Sequence, residues 1–588
     1  MLAMRGLGWF KREKISALLN RFRYLTIPTV LLAGYCVSVV CLDDIKLIHG
    51  NVTPVVNPLA LWGLVAVGLV AAILLIKNAP DAFNFFTEEG AGAKRRDVYL
   101  LLIILTLFRL FAFLLSPDFI QFMRVWPDST GYLSDMQTVL QDPVRIFDRK
   151  SPVYTIWLVS NHLIFGKIIG LQSSDTYFGV TVFLKDIVPP IFFQNVIGVL
   201  TALICFSIFS PINVHLAYAV TLLTFLNPTT LATENSILRE SLVLFFVLGG
   251  FALFLKANVH GSSMYSIISG VLLFIAYQIR AELIIIYALL CLALFAHAIG
   301  QKQRMWKTVI LFCLPMILSV LFAGYTMSYK SVESSYSGRF GLALFGLKSK
   351  CYFYESPTFP ELIESIQKRT IQCENERGAP CDDPATTIFV LRSYMDEEIG
   401  KYLQSRNLQT PIKEIHDQIF LDIVRNNPLC YIQSVLTNIG YNLIHNVQNI
   451  TPILFDGDKY LISQNWNYYA SPKMLVFYEK DTASYKYIVC LFRTIELYTT
   501  RKILFPFFFI GSIIILISTR RRFFANCSDN SLLMASILLI SWVHLLFLSV
   551  MADLVARFVY PILPFIFAIE IIGVIGVYHW FKARFLNR

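Results

Sequence analysis

The chain has 588 residues, of which 56% are hydrophobic and 14% aromatic, with only 15% charged. Its mean hydropathy of +0.60 excludes a soluble globular protein and requires lipid as a solvent. The formal charge of +11 does not mark a nucleic-acid binder, because the basic residues stand in short clusters beside apolar runs, the pattern that sets membrane topology.

A bilayer core about 30 Å thick needs roughly 20 apolar residues per helix, and on that measure the chain carries about twelve spans. They are expected at 24–42, 58–76, 98–115, 187–209, 214–227, 241–255, 264–279, 283–299, 308–326, 503–519, 531–550 and 558–578. A basic segment (Arg5, Lys11, Arg12, Lys14, Arg21, Arg23) precedes the first run. No small-residue cleavage pattern follows that run, so a retained span is expected in place of a cleaved signal peptide. With the N-terminus in the cytoplasm, Lys94-Arg95-Arg96, Lys302 with Arg304 and Lys307, Arg520-Arg521-Arg522, and Lys582 with Arg584 and Arg588 all fall on the cytoplasmic side.

The same count places two long polar stretches outside, 117–186 and 327–502. The expected organisation is a region 1–97 with two N-terminal helices, a transmembrane module 98–326 containing the external loop 117–186, an external domain 327–502, and C-terminal helices 503–588. The fold class is all-α and polytopic, with a mainly α-helical external domain. Thr410-Pro411 opens one of its helices, an amphipathic run with Ile412, Ile415, Ile419, Ile423 and Val424. Cys351, Cys373, Cys381 and Cys430 lie in this domain, where an external position permits disulfides. Four cysteines allow three pairings. Cys373 with Cys381 and Cys351 with Cys430 is preferred, and free thiols are the alternative.

No metal-ligand spacing, Cys-x-x-Cys, P-loop or Gly-rich dinucleotide fingerprint occurs. No internal repeat or matched pair of broken spans is evident, which disfavours a secondary transporter.

The chemistry-bearing segment follows the third run. Trp126-Pro127-Asp128-Ser129-Thr130-Gly131-Tyr132, with Leu133, Met136, Val139 and Leu140 after it, reads as a short amphipathic helix starting near Pro127 and lying on the outer membrane surface. Asp128, Tyr132 and Asp135 share one face at spacings of four and three. A carboxylate held at the lipid interface suits general base chemistry. Asp at a helix start also serves as a cap, and spacing alone favours that reading. Arg145, Asp148, Arg149 and Lys150 then lead into Ser151-Pro152-Val153-Tyr154, a basic entry to an apolar run that suits either a lipid phosphate or anionic headgroups in general. Arg239-Glu240, Arg280-Ala281-Glu282, and Asp553 with Arg557 stand at the expected outer ends of spans, on the side of Asp128, and suggest a shared polar pocket. Snorkelling at the interface is the alternative. Arg109 lies midway along the third span, where a charge costs roughly 2.5 to 3.5 kcal/mol on insertion scales and calls for a buried partner.

Asp128-Ser-x-x-Tyr132, followed by Arg149-x-x-Pro152-x-Tyr154 and an apolar run ending Phe165-Gly166, resembles the first external loop of GT-C glycosyltransferases. The similarity is to family 39, the protein mannosyltransferase-like and lipid A aminoarabinose transferase-like group. Gln194, Leu238-Arg-Glu240-Ser, Ile279-Arg280-Ala-Glu282-Leu, Arg557-Phe-Val-Tyr-Pro561-Ile-Leu-Pro564 and Asn426-Asn-Pro428 with Tyr431 match in order. The resemblance implies a GT-C fold and an inverting enzyme that moves a sugar from a polyprenyl-phosphate donor to a glycan, lipid or protein acceptor. It implies Asp128 as the base, Arg149, Lys150, Arg280 and Arg557 as phosphate contacts, and Tyr132, Asp135, Tyr154, Glu240 and Glu282 around the pocket. Many family members carry a second acidic residue beside the first, where this chain has Ser129, so use of a divalent metal is left open and no cofactor is assigned. The expected site is the external face of the plasma (inner) membrane. An O-antigen polymerase or ligase and a transporter or flippase of lipid-linked sugars are the rival readings.

Overall fold

The computed structural model describes residues 45–48, 51–54, 95–114, 127–148, 151–165, 174–177, 180–227, 230, 233–234, 237–301, 306–329, 358–377, 397–410, 412–444, 501–523, 529–551 and 559–582. The expected spans 24–42 and 58–76 lie outside them, as does residue 445 to residue 500 of the expected external domain. Every expected apolar run from residue 98 onward folds as a helix, in register to within a few residues.

The described residues form two compact units. One holds those up to Tyr287 together with 294–312, and the other holds 288–293 and those from Cys313 onward. The first unit contains α1 (Arg95–Leu114), α2 (Pro127–Gln141), α3 (Pro152–Phe165), α4 (Leu184–Phe209), α5 (Val214–Phe225), α6 (Glu240–His260) and α7 (Ser263–Ile279). Helices α8 (Ile284–Gln301) and α9 (Trp306–Tyr329) continue the chain. The second unit holds α10 (Pro360–Arg377), a short helix over 397–405, α11 (Ile412–Asn426), α12 (Pro428–Ile444), α13 (Arg501–Phe523), α14 (Asp529–Met551) and α15 (Leu563–Phe581).

Among the described residues, four helical stretches are long and apolar enough to cross a bilayer: Lys185–Phe209, Glu240–His260, Leu532–Ser549 and Tyr560–Phe581. Leu100, Ile103 and Leu107 on α1 and Ile513, Leu516 and Ile517 on α13 turn apolar side chains outward. In water such stripes are liabilities, whereas acyl chains receive them without cost. The fold is thus the helical membrane protein that composition requires.

Among the described residues, two short antiparallel hairpins also occur, β1 (Ile45–Ile48) with β2 (Asn51–Pro54) and β3 (Ser174–Tyr177) with β4 (Val180–Phe183). Apolar-run counting gave no strands here. Their signal is local: each pair of strands, rich in β-branched or aromatic residues, is separated by two residues ending in glycine, His49-Gly50 and Phe178-Gly179.

Helices α6 and α7 form a closely packed hairpin. Gly261 ends α6 at φ 58°, a left-handed conformation that glycine adopts without a Cβ penalty, and Ser262 opens α7. The two helices lie close because Ser269 Oγ donates to the Gly250 carbonyl at 2.6 Å. In the second unit the expected amphipathic run begins at Ile412, and Ile415 and Ile419 enter a core with Leu362, Ile363, Ile366, Ile399 and Leu403. Cys430 packs on this core and takes part in a disulfide. Cys373 lies in α10 with its side chain undescribed, and Cys351 and Cys381 lie outside the described residues, so the pairing itself does too.

Helices α13 and α15 pack backbone to backbone. A Cβ at Gly511 would stand 1.9 Å from the Ile569 carbonyl oxygen, and one at Gly573 would stand 2.1 Å from that of Phe507. Gly511→Ala and Gly573→Ala are therefore each expected to cost about 1–3 kcal/mol or more, because overpacking against main chain has no soft side chain to yield. Gly400→Ala, with nothing within 4 Å, is the neutral control. Thermal unfolding in detergent checks all three.

Candidate functional site

The site is assembled by the α6/α7 hairpin and the starts of α2 and α3. Because α6 and α7 are antiparallel and joined by two residues, the beginning of α6 and the end of α7 lie together. This places Arg239 and Glu240 beside Arg280 and Glu282. Arg280 is wholly buried and donates through Nε to Glu282 Oε1 at 2.6 Å, with a second contact from Nη2 to the same oxygen. Its Nη1 lies 3.6 Å from Glu240 Oε1. Glu240 stands in the first turn of α6, where the partial positive end of the helix also favours a carboxylate.

Two serines fasten the expected catalytic segment to this end of the hairpin. Ser129 Oγ donates to the Ile237 carbonyl at 2.9 Å, and Ser151 Oγ donates to the Ile279 carbonyl at 2.8 Å. Arg239 donates through Nη1 to Ser151 Oγ and, at 2.8 Å, to the same Ile279 carbonyl. Its guanidinium also stands 5.7 Å from the centroid of the Tyr132 ring, a cation–π distance. Tyr132 meets Tyr154 edge to face at 5.1 Å.

From Tyr154 a polar chain runs inward. Its hydroxyl donates to Gln194 Oε1 at 3.2 Å, and Gln194 Nε2 donates to the Glu234 carbonyl at 3.2 Å. The Glu234 carboxylate is the buried partner that Arg109 requires, with Nη2 2.8 Å from Oε1 and 2.7 Å from Oε2, and Nε 3.1 Å from Oε2. Gly198 on α4 makes room for it: a Cβ there would lie 2.0 Å from Glu234 Oε1. A separate pair, His162 Nδ1 with Asp186 Oδ1 at 2.6 Å, ties α3 to α4.

Electrostatics follow from this packing. Burial opposes ionisation of Glu282, but Arg280 and Arg239 outweigh it and hold the carboxyl down at about 2, against an ordinary 4.5. Burial, together with Tyr132 and Glu240, pushes the Tyr154 phenol well above its usual range, so it remains a hydrogen-bond donor.

The structure therefore brings together Tyr132, Tyr154, Glu240, Arg280 and Glu282 from the sequence-expected set. Asp128 stands in the first turn of α2, next to the anchored Ser129, with its side chain undescribed. Asp135 lies further along α2, half-buried. Arg149, Lys150 and Arg557 lie outside the described residues. Sequence reasoning did not name Glu234, Ser151 as an anchor, or the His162–Asp186 pair. Among the described residues, no group of three or more His, Cys, Asp or Glu side chains is placed to hold a metal ion. In comparison with known proteins, no family model matches the chain, and no curated protein matches it.

Two measurements test this geometry. Glu234→Gln leaves the Arg109 charge buried and unanswered, and is expected to cost about 3–5 kcal/mol, whereas Arg109→Met with Glu234→Gln should recover most of that loss. Denaturation of the singles and the double in detergent closes the cycle. Because the Glu282 carboxyl is depressed in the folded state, its contribution is fully present above about pH 4.5 and is lost as pH falls toward 2. Wild type should accordingly lose thermal stability more steeply than Glu282→Gln between pH 6 and pH 3, and parallel curves would remove that assignment.

Proposed function

We propose that the chain is a polytopic membrane glycosyltransferase of the GT-C type, with about twelve spans, a polyprenyl-phosphate-sugar donor, and a glycan, lipid or protein acceptor on the external face of the plasma membrane. The observation that carries the reading is convergence. Segments more than a hundred residues apart, each matched in order by the family resemblance, are joined by Ser129 to Ile237 (108 residues) and by Ser151 to Ile279 (128 residues). A shared polar pocket needs such a junction, and interface snorkelling does not.

The chemistry assigned to the pocket is inverting sugar transfer. Asp128, at the anchored end of α2, takes the proton of the acceptor hydroxyl as its oxygen attacks the anomeric carbon and the bond to the lipid phosphate breaks. Arg149, Lys150 and Arg557 carry the phosphate contacts, where cations lower the cost of the departing anion. Arg280 is enclosed by two carboxylates, so its role in this reading is to hold Glu240 and Glu282 in place beside the donor. Tyr132, Tyr154 and Asp135 shape the entrance. In this reading the domain over 327–502 selects the acceptor. An O-antigen polymerase or ligase has no need of an aimed carboxylate on this early loop, and a flippase needs ionisable groups spread through membrane depth.

The test is sugar transfer from a radiolabelled polyprenyl-phosphate donor pool into lipid, polysaccharide and protein fractions by the purified chain. Asp128→Asn is expected to bind donor and lose transfer by about 10²–10⁴-fold, the range of a general base. Equal transfer by both proteins would make Asp128 a helix cap and promote the rival readings.

A further inference from the structure

We propose that α12 is seated in membrane lipid, with Leu429, Ile432 and Leu436 against acyl chains, and is not part of the water-exposed domain in which the sequence places it. This inference depends only on the membrane character of the chain and not on the sugar-transfer reading.

The change of solvent is written at Asn427-Pro428. Before it, α11 carries Lys413, Glu414, Asp417, Asp422 and Arg425, the composition of a helix with a face in water. Proline then starts a new helix, PLCYIQSVLTNIGYNLI, which has no charged residue over 17 positions. A helix of that length spans about 25 Å. In water a face of this kind would be buried or broken by charge.

Neither happens on α12. Leu429, Ile432 and Leu436, spaced by three and four on one stripe, are 80%, 51% and 61% exposed, while Val435 on the neighbouring face is buried. Helix α12 packs on α14 and α13. Those neighbours supply the identity of the occupant. Residues Leu532–Ser549 of α14 form one of the stretches long and apolar enough to cross a bilayer. Leu539 and Leu546 on α14, and Ile513, Leu516 and Ile517 on α13, are likewise exposed. The stripe on α12 thus lies on a helix packed against two others that also turn apolar side chains outward, one of them long and apolar enough to cross a bilayer, and lipid is the occupant that suits all three. The N-terminal end of α12 supplies the opposite contact, since Cys430 packs on the core formed by α10, 397–405 and α11. Helix α12 is thus the piece that holds this small domain down on the membrane.

The test uses the intact chain in nanodiscs whose phosphatidylcholine carries a diazirine in the acyl chain, with adducts mapped by mass spectrometry after irradiation. Labelling of Leu429, Ile432 and Leu436 is expected to be comparable to that of Ile513, Leu516 and Ile517. It should also exceed that of Ile371 on α10 and Leu421 on α11, exposed apolar residues of the same unit, by about tenfold. Labelling of α12 no higher than Ile371, with α13 labelled normally, overturns the proposal. So does absence of lipid adducts with α12 cross-linked to α12 of a second copy, which would make the stripe a dimer face.

Discussion

A guanidinium out of water has to be answered where it lies, and Arg280 sets that constraint on everything around it. Its side chain is fully enclosed, and Glu282 and Glu240 supply the opposite charge. Removing both carboxylates would leave the guanidinium buried and unanswered, at an effective cost of several kcal/mol. The pairing in turn fixes the ends of two helices, because Glu240 starts α6 and Arg280 follows α7. Once those ends are fixed, the carbonyls of Ile237 and Ile279 are fixed too, and they are the acceptors that seat Ser129 and Ser151. The order of dependence runs from one buried cation to a hairpin, and from the hairpin to the start of the helix that carries Asp128.

Elements with a strong one-dimensional signal were legible in the sequence. The apolar runs from residue 98 onward fold as helices, because a helix clothed on all sides in apolar residues needs only length to be recognised. Pro127 and the Thr410-Pro411 pair marked helix starts, since proline at a first helical position loses no hydrogen bond. The hairpins escaped because their strands are four residues each, too short for an apolar-run count, although the glycine-ended loops signalled them.

The candidate site was legible as a cluster and not by partner. Arg239, Glu240, Arg280 and Glu282 were expected at matching ends of apolar runs, and they are together. Glu234 was not named, because it sits between helices α5 and α6 in a stretch without periodicity, and its partner is 125 residues away. Long-range ion pairs leave no local mark, so a lone arginine such as Arg109 announces a need without an address. The hydroxyl anchors were equally silent, since a serine that seals a distant carbonyl reads like any surface serine.

The distance between Arg109 and Glu234 also bears on how the chain is made. Arg109 leaves the ribosome 125 residues ahead of its counter-charge. At about 5–20 residues per second, α1 waits on the order of 6–25 s with a solitary guanidinium in an apolar helix. During that interval its transfer into lipid carries roughly 2.5–3.5 kcal/mol of unanswered charge. Helix α1 is therefore completed by a segment synthesised long after it, and its residence in the bilayer becomes secure only when the segment after α5 arrives.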